Sequence, residues 1–173
     1  LKANAPDLGK NPEMLSFVQN YTDMGFASVI LFVLIGTVLT MIVQASAATM
    51  AITLIMCANG WISFELGAAL VLGENIGTTI TANLAAMVAN NSAKKAALSH
   101  LVFNVIGVIW MLIVFYPFTK LIAYITVQME GTSPFVDALA IPVALSLFHS
   151  IFNIINTFAL VWFIPLIIKI VNF

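Results

Sequence analysis

The sequence of 173 residues contains no arginine. Its basic side chains are six lysines, Lys2, Lys10, Lys94, Lys95, Lys120 and Lys169, set against seven acids for a formal net charge of −1. Such a chain has no basic surface for DNA or RNA, so a nucleic-acid partner is excluded. Charged residues of both signs amount to 8%, where soluble domains carry about 25%. That is too little charge to cover a surface facing water. A single cysteine, Cys57, rules out a disulfide framework within the chain. No Cys or carboxylate stands at metal-ligand spacing from either histidine, and no nucleophile–base pair is visible. Neither an enzyme nor an organic cofactor is expected.

What the chain does have is apolar length. Hydrophobic residues make up 62%, which excludes disorder and calls for lipid as the solvent. The reading is an all-α, multi-pass membrane protein. Residues 1–25 are mixed in polarity and form an interfacial lead-in, with Asn11-Pro12-Glu13 as a helix start. They lack the basic start and short apolar core of a signal peptide, and the chain reads as a piece of something longer. Residues 26–173 form the membrane domain. Within it, residues 26–43 make a first span of about 27 Å. Residues 50–57, 62–72 and 80–89 are apolar but each too short to cross alone. Residues 96–116 form a full span that Pro117 ends, with Ser92 as its expected cap, and residues 118–128 form a shorter amphipathic piece. Gly131-Thr132-Ser133-Pro134 is a turn and a new helix start. Residues 138–173 are the longest apolar run, expected to be kinked, tilted or extended beyond the bilayer near Pro142 or Pro165. Lys94, Lys95 and Lys169 fall on one side of the membrane and Lys120 on the other, which places the C-terminus in the cytoplasm.

Two polar patches interrupt the short segments. The first is Gln44-Ala45-Ser46-Ala47-Ala48-Thr49. The second runs from Glu74 to Thr79 and continues through Thr81 and Asn83. Short apolar pieces broken by Gly, Ser, Thr and Asn are the pattern of broken or re-entrant helices, which persist only where protein or a cavity surrounds them. Each patch is expected to precede a helix start, where free N–H groups and about half a positive charge gather. Two such starts facing one cavity bind an anion without arginine. They supply roughly one positive charge, short of the −1.5 to −2 on a phosphate near pH 7. A partner repeat or a bound cation must supply the rest. Oxygens of Gln44, Ser46, Thr49, Asn75, Thr78 and Thr79 suit a small hard cation such as Na⁺. The opposing reading is that both patches are packing motifs, since small residues let helices approach.

Glu74 is an ionisable group in membrane sequence and therefore a functional candidate. It reads either as a ligand for Na⁺ or a proton, or as a residue at the aqueous mouth of a re-entrant loop, where a nearby anion would repel it less. Glu65 reads as interfacial. His100-Leu101-Val102-Phe103-Asn104 and His149-Ser150-Ile151-Phe152-Asn153 share the pattern H-x-x-F-N. Asn156 extends the second stripe, and each motif is either a proton relay or a wall of the site, or an interhelical hydrogen-bonding motif. Trp61, Trp110, Trp162, Tyr21, Tyr116 and Tyr124 read mostly as interface anchors.

The first patch resembles the QSSSAT motif of the type II sodium–phosphate cotransporters and their bacterial relatives. Gly73-Glu74-Asn75-Ile76-Gly77-Thr78-Thr79-Ile80-Thr81-Ala82 is similar to their G-x-N-I-G-T-T-x-T-A segment. The spacing between the two, and Lys95-Ala96-Ala97-Leu98-Ser99-His100-Leu101-Val102-Phe103-Asn104 downstream, also fit. The likeness spans about residues 25–169. Of the family's three serines after the glutamine, the middle one survives as Ser46, between Ala45 and Ala47.

The resemblance implies one of two inverted repeats of a sodium-coupled phosphate symporter, here the second. The missing half comes from the same full-length chain or from a second chain, a homodimer included. The expected site residues are Gln44, Ser46, Thr49, Asn75, Gly77, Thr78, Thr79 and Asn83. Glu74 is a further ion ligand, and Na⁺ is held through Gln44, Ser46, Thr49, Asn75 and Thr78. The expected location is a bacterial inner membrane, with the bilayer and inorganic phosphate as partners. Transport of another oxyanion, and a non-transporting sensor or assembly module with the same fold, stay open as alternatives.

Overall fold

The structure, a computed structural model, describes residues 21–171. The expected helix start at Asn11-Pro12-Glu13 and most of the lead-in lie outside the described residues. Among the described residues the elements are all helical: α1 (Phe26–Val43), α2 (Ser46–Ala58), α3 (Phe64–Ala86), α4 (Asn91–Ile113), α5 (Phe115–Glu130), a 3-10 turn (Ala138–Ala140), α6 (Ile141–Leu160), a second 3-10 turn (Val161–Phe163) and α7 (Ile164–Val171). Phe26–Val43, Asn91–Ile113 and the composite Ala138–Val171 are long and apolar enough to cross a membrane. This is a polytopic, all-α membrane protein.

The chain wraps around α3. Every residue from Leu66 to Glu74 is buried, and α3 packs against α1, α2, α4 and α6. Its closest neighbour is α1, and glycine sets that distance. A Cβ on Gly73 would overlap the Val33 carbonyl oxygen and stand 2.7 Å from the Thr37 nitrogen. A Cβ on Gly77 would stand 2.6 Å from the Thr37 carbonyl oxygen, and one on Gly36 would overlap the Leu70 carbonyl. Thr37 Oγ1 uses this proximity to donate across the interface to the Gly73 carbonyl at 3.2 Å. Small residues at such crossings provide the van der Waals contact that lipid cannot supply as a hydrophobic force.

Helix α2 is 13 residues long, about 20 Å, and falls short of a bilayer core of about 30 Å. It buries Thr49, Thr53 and Cys57, one residue per turn, on the side facing α3. Helix α6 buries Ile141, Ala144, Leu145, Phe148, Phe152 and Asn156 at helical spacing. Phe148 sits against Phe115 and Phe118, with centroids 6.3 and 5.3 Å away. Trp110 Nε1 donates to Asn156 Oδ1 at 2.9 Å and ties α4 to α6. Ile42, Ile113, Trp162 and Leu139 are largely exposed, as befits side chains that face lipid.

Several boundaries differ from expectation. The chief difference is that Gly73–Thr79 does not interrupt a helix: α3 runs unbroken through it. The reason lies in the two roles its residues take. Gly73 and Gly77, four apart, form the face that receives α1. The polar side chains bond back to carbonyls of their own helix. Asn90, not Ser92, caps α4, accepting the Ala93 N–H at 2.9 Å. Helix α4 ends at Ile113, before Pro117, which lies in the first turn of α5. A proline ring would clash with the carbonyl four residues earlier, here that of Ile113, so the helix must stop there. The expected turn at Pro134 is present, but the next long helix starts only at Ile141, with Pro142 in its first turn. In the final apolar run a 3-10 turn, Val161–Phe163, separates α6 from α7 just before Pro165. Trp110 is an internal bonding group instead of an interface anchor.

Helix propensity alone favours Ala over Gly by about 1 kcal/mol. Gly73→Ala is nevertheless expected to lower the melting temperature of the protein in detergent, because overpacking against backbone costs about 1–3 kcal/mol or more. An unchanged or raised melting temperature would show that α1 and α3 are not this close.

Candidate functional site

Helix α1 ends in a left-handed residue, Gln44, at φ 57°, the only non-glycine with positive φ among the described residues. Its N–H donates to the Thr40 carbonyl at 2.7 Å. Ala45 is extended, and α2 starts at Ser46. The Ala45 carbonyl accepts the N–H groups of Ala48 and Thr49, at 3.0 and 3.1 Å. Alanine has no side chain to cap the N–H groups of Ser46 and Ala47, and α2 has no side-chain cap. The first expected break is thus present, and a helix start is left open.

This start borders a cavity of about 320 Å³. Ser46, Ala47 and Met50 of α2 form one wall, and Ser146, His149 and Ser150 of α6 form the other. Glu74 of α3 completes the lining. No lysine lines it. Glu74 is 1% exposed and accepts a hydrogen bond from Thr53 Oγ1 at 3.0 Å. It therefore does not stand at the aqueous mouth of a loop: the helix expected to break there is continuous, and the side chain points into protein. A larger cavity of about 560 Å³, lined in part by Asp23, Glu65 and Asp137, lies at the α2–α3 turn, away from the break.

The remaining expected site residues separate into groups. Gln44 is exposed at the break, and Thr49 is buried in the first turn of α2. Asn75, Gly77, Thr78, Thr79 and Asn83 follow Glu74 along α3, and no helix starts among them. Gly77 is filled in by α1. Asn83 Nδ2 donates both to the Thr79 carbonyl and across to the Ala97 carbonyl of α4, each at 2.8 Å. The hydroxyls of Thr49, Thr78 and Thr79 donate to Ala45, Glu74 and Ile76 carbonyls, at 3.3, 2.8 and 2.7 Å. A hydroxyl has one hydrogen to give but two lone pairs. These hydrogens are committed, while the oxygens still have capacity for a cation.

The stripe of the second H-x-x-F-N motif does bond between helices, through Asn156, which accepts from Trp110 Nε1 at 2.9 Å, whereas the Asn of each motif itself does not. Asn104 and Asn153 donate to the His100 and His149 carbonyls of their own helices, at 3.0 and 2.8 Å. His100 is exposed, whereas His149 lines the cavity and its Nδ1 is buried without a hydrogen-bond partner. Thr53, Ser146 and Ser150 were not singled out by the sequence. Thr53 had a weak signal, since it lies one turn beyond Thr49 on the same face. Ser146 and Ser150 had none, because their place depends on how α6 meets α2.

Fold and cavity together define a polytopic membrane protein with an open helix start and a buried carboxylate on one interior space. The chain belongs to the Na⁺/Pi-cotransporter family, which matches residues 11–133. It is 44% identical over 75 residues to the uncharacterized protein YqeW of Bacillus subtilis, covering 43% of this chain and 24% of that protein. It is 29% identical over 143 residues to YjbB of Salmonella typhimurium, whose name proposes inorganic phosphate export, covering 82% of this chain and 24% of that protein. Sodium-dependent phosphate transport protein 2B of Bos taurus is 41% identical over 96 residues, 53% of this chain and 13% of that protein. The chain thus spans about a quarter or less of the length of these relatives. No solved structure matches it.

The cavity can be tested by thiol accessibility. A cysteine at Ser46 is expected to react with a small, hydrophilic thiol reagent, whereas native Cys57, 1% exposed, stays unmodified. Labelling of Ser46→Cys as slow as that of Cys57 would show the space to be closed.

Proposed function

We propose that this chain is one inverted half of a Na⁺-coupled phosphate symporter, and that the α2 start at Ser46 is its contribution to the oxyanion site. The observation that carries this is the uncapped helix start opening on a cavity that also holds Glu74. Family membership and the bovine relative's name support phosphate as cargo and Na⁺ as coupling ion. Because α3 is continuous, this half supplies one helix start. One start brings about half a positive charge, against −1.5 to −2 on phosphate. The other half of the transporter and bound cations must bring the remainder. Transport then follows from movement of one half against the other around the fixed site.

In this reading Gln44 and Ser46 flank the oxyanion. Thr49 and Thr78 offer oxygens to Na⁺, because their hydroxyl hydrogens are already engaged, and Asn75 offers its amide carbonyl while Nδ2 donates to the Val71 carbonyl. Gly77 and Thr79 hold α3 in place against α1, and Asn83 holds it against α4. The partner half is the first repeat of the full-length protein or a second copy, within a bacterial inner membrane.

The test is phosphate binding and uptake by the full-length protein in liposomes under a Na⁺ gradient. Loss of a hydrogen bond to a charged ligand costs about 1.5–3 kcal/mol, so Ser46→Ala is expected to weaken phosphate binding by about tenfold or more. Ser28→Ala is the control. Ser28 is buried at the start of α1, where it accepts the Met24 N–H at 2.9 Å, and its loss should leave phosphate binding unchanged. Equal effects of the two substitutions would remove the proposed site. Sulfate competing as well as unlabelled phosphate would assign a different oxyanion, and phosphate binding without uptake would assign a sensor.

A further inference from the structure

Helices α3 and α4 pack as a hairpin and flank a groove that the proposed function does not use. Its volume is about 400 Å³, within the range of ligand sites. Ile80, Leu84 and Met87 of α3 line it with Leu98 and Leu101 of α4. Leu84, Met87 and Leu98 are 56%, 66% and 39% exposed, so the groove is open on its outer side. It shares no lining residue with the cavity at Ser46.

Two polar side chains border the groove, Asn83 and Lys94. The Asn83 amide has two hydrogens to give, and it donates to the Thr79 and Ala97 carbonyls. The donor that remains is the Lys94 ammonium, on the exposed first turn of α4. No carboxylate lines the groove, and the sequence holds no acid between Glu74 and Glu130. Lys95 adds a second positive charge at this end. The positions on α4 follow an order. Lys94 stands where the span begins, Leu98 lies one turn deeper, and Leu101 lies about 10 Å deeper. A cation at the mouth and an apolar wall running inward match an amphiphile with an anionic head and a hydrocarbon tail. A soluble anion would gain nothing from the apolar wall, and a zwitterionic lipid brings its own cation towards the lysine.

We infer that the groove between α3 and α4 binds an anionic phospholipid, with the lipid phosphate on Lys94 and an acyl chain along Leu84, Met87, Leu98 and Leu101. A lysine stem can lie along the apolar wall while its ammonium stays at headgroup level. The expected orientation, with Lys94 and Lys95 in the cytoplasm, puts the site in the leaflet whose anionic lipids attract lysines beside a span. A lipid seated there touches both helices of the hairpin on its open side. The inference does not depend on the oxyanion site at Ser46.

The experiment places the full-length protein in phosphatidylcholine vesicles with a trace of photoreactive lipid, and maps the crosslinked residues. The reactive group sits on an acyl chain of either phosphatidylglycerol or phosphatidylcholine. In the wild type the phosphatidylglycerol probe should label residues 80–101 about fivefold more than the phosphatidylcholine probe. Lys94→Gln changes an exposed side chain and should remove most of that preference at an unchanged melting temperature. Lys120→Gln, expected on the other side of the membrane, should keep it. Equal labelling by the two probes in the wild type, or an undiminished preference in Lys94→Gln, would overturn the site. Absence of labelling by either probe would also overturn it and assign the groove to a protein partner. Excess glycerophosphoglycerol, the same headgroup without its chains, should leave the labelling unchanged. Loss of labelling in its presence would replace the lipid by a soluble phosphate ester.

Discussion

A backbone group in lipid has no water to bond with, so a helix can stop at membrane depth only where protein covers the groups it releases. The break at Gln44-Ala45 depends on this. Gln44 and Ala45 are themselves exposed, and the cavity beside them is walled in part by α3, which lies close to α1 because its glycines admit that helix's backbone. One helix thus serves two faces. Gly73 and Gly77 take α1, and Glu74, turned by one residue, meets Thr53 of α2 and the cavity. The nearness of two backbones on one face positions the carboxylate on the other.

The long apolar runs were legible because span length and charge depletion are properties of the sequence itself. The break after α1 was also legible, since Gln44 to Thr49 combines polarity with an apolar continuation too short to cross. The stretch from Gly73 to Thr79 was misread for a physical reason. Gly, Asn and Thr weaken helices in water by exposing backbone or by competing for it. Buried among helices, the same glycines become a docking face, and Asn75, Thr78 and Thr79 turn their hydrogens on their own carbonyls. The spacing of Gly73 and Gly77 was visible, but Gly36, which meets α3 from the other side, lies in a different segment. Of the expected site, Ser46 and Glu74 meet in one cavity. Thr53 and the α6 wall were hidden because contact between separate helices leaves no trace in local spacing.

With one helix start in place of two, the proposed function leans more heavily on cations than the sequence alone implied. The threonine hydroxyls lean the same way, with hydrogens engaged and oxygens available. A lone carboxylate without a basic neighbour completes the pattern. A chain devoid of arginine has thereby concentrated its interior polarity in acceptors. Under the proposed function, permanent guanidinium groups would hold an oxyanion whatever the cation concentration, whereas acceptors would tie its capture to a second solute.

The left-handed twist at Gln44 carries a consequence for stereochemistry. Natural chirality resists this backbone shape through crowding of the β-carbon against the following carbonyl, by about 1–2 kcal/mol. At this one corner the handedness of the building block opposes the architecture. A mirror-image glutamine installed there by chemical synthesis would sit more comfortably than the residue that translation supplies.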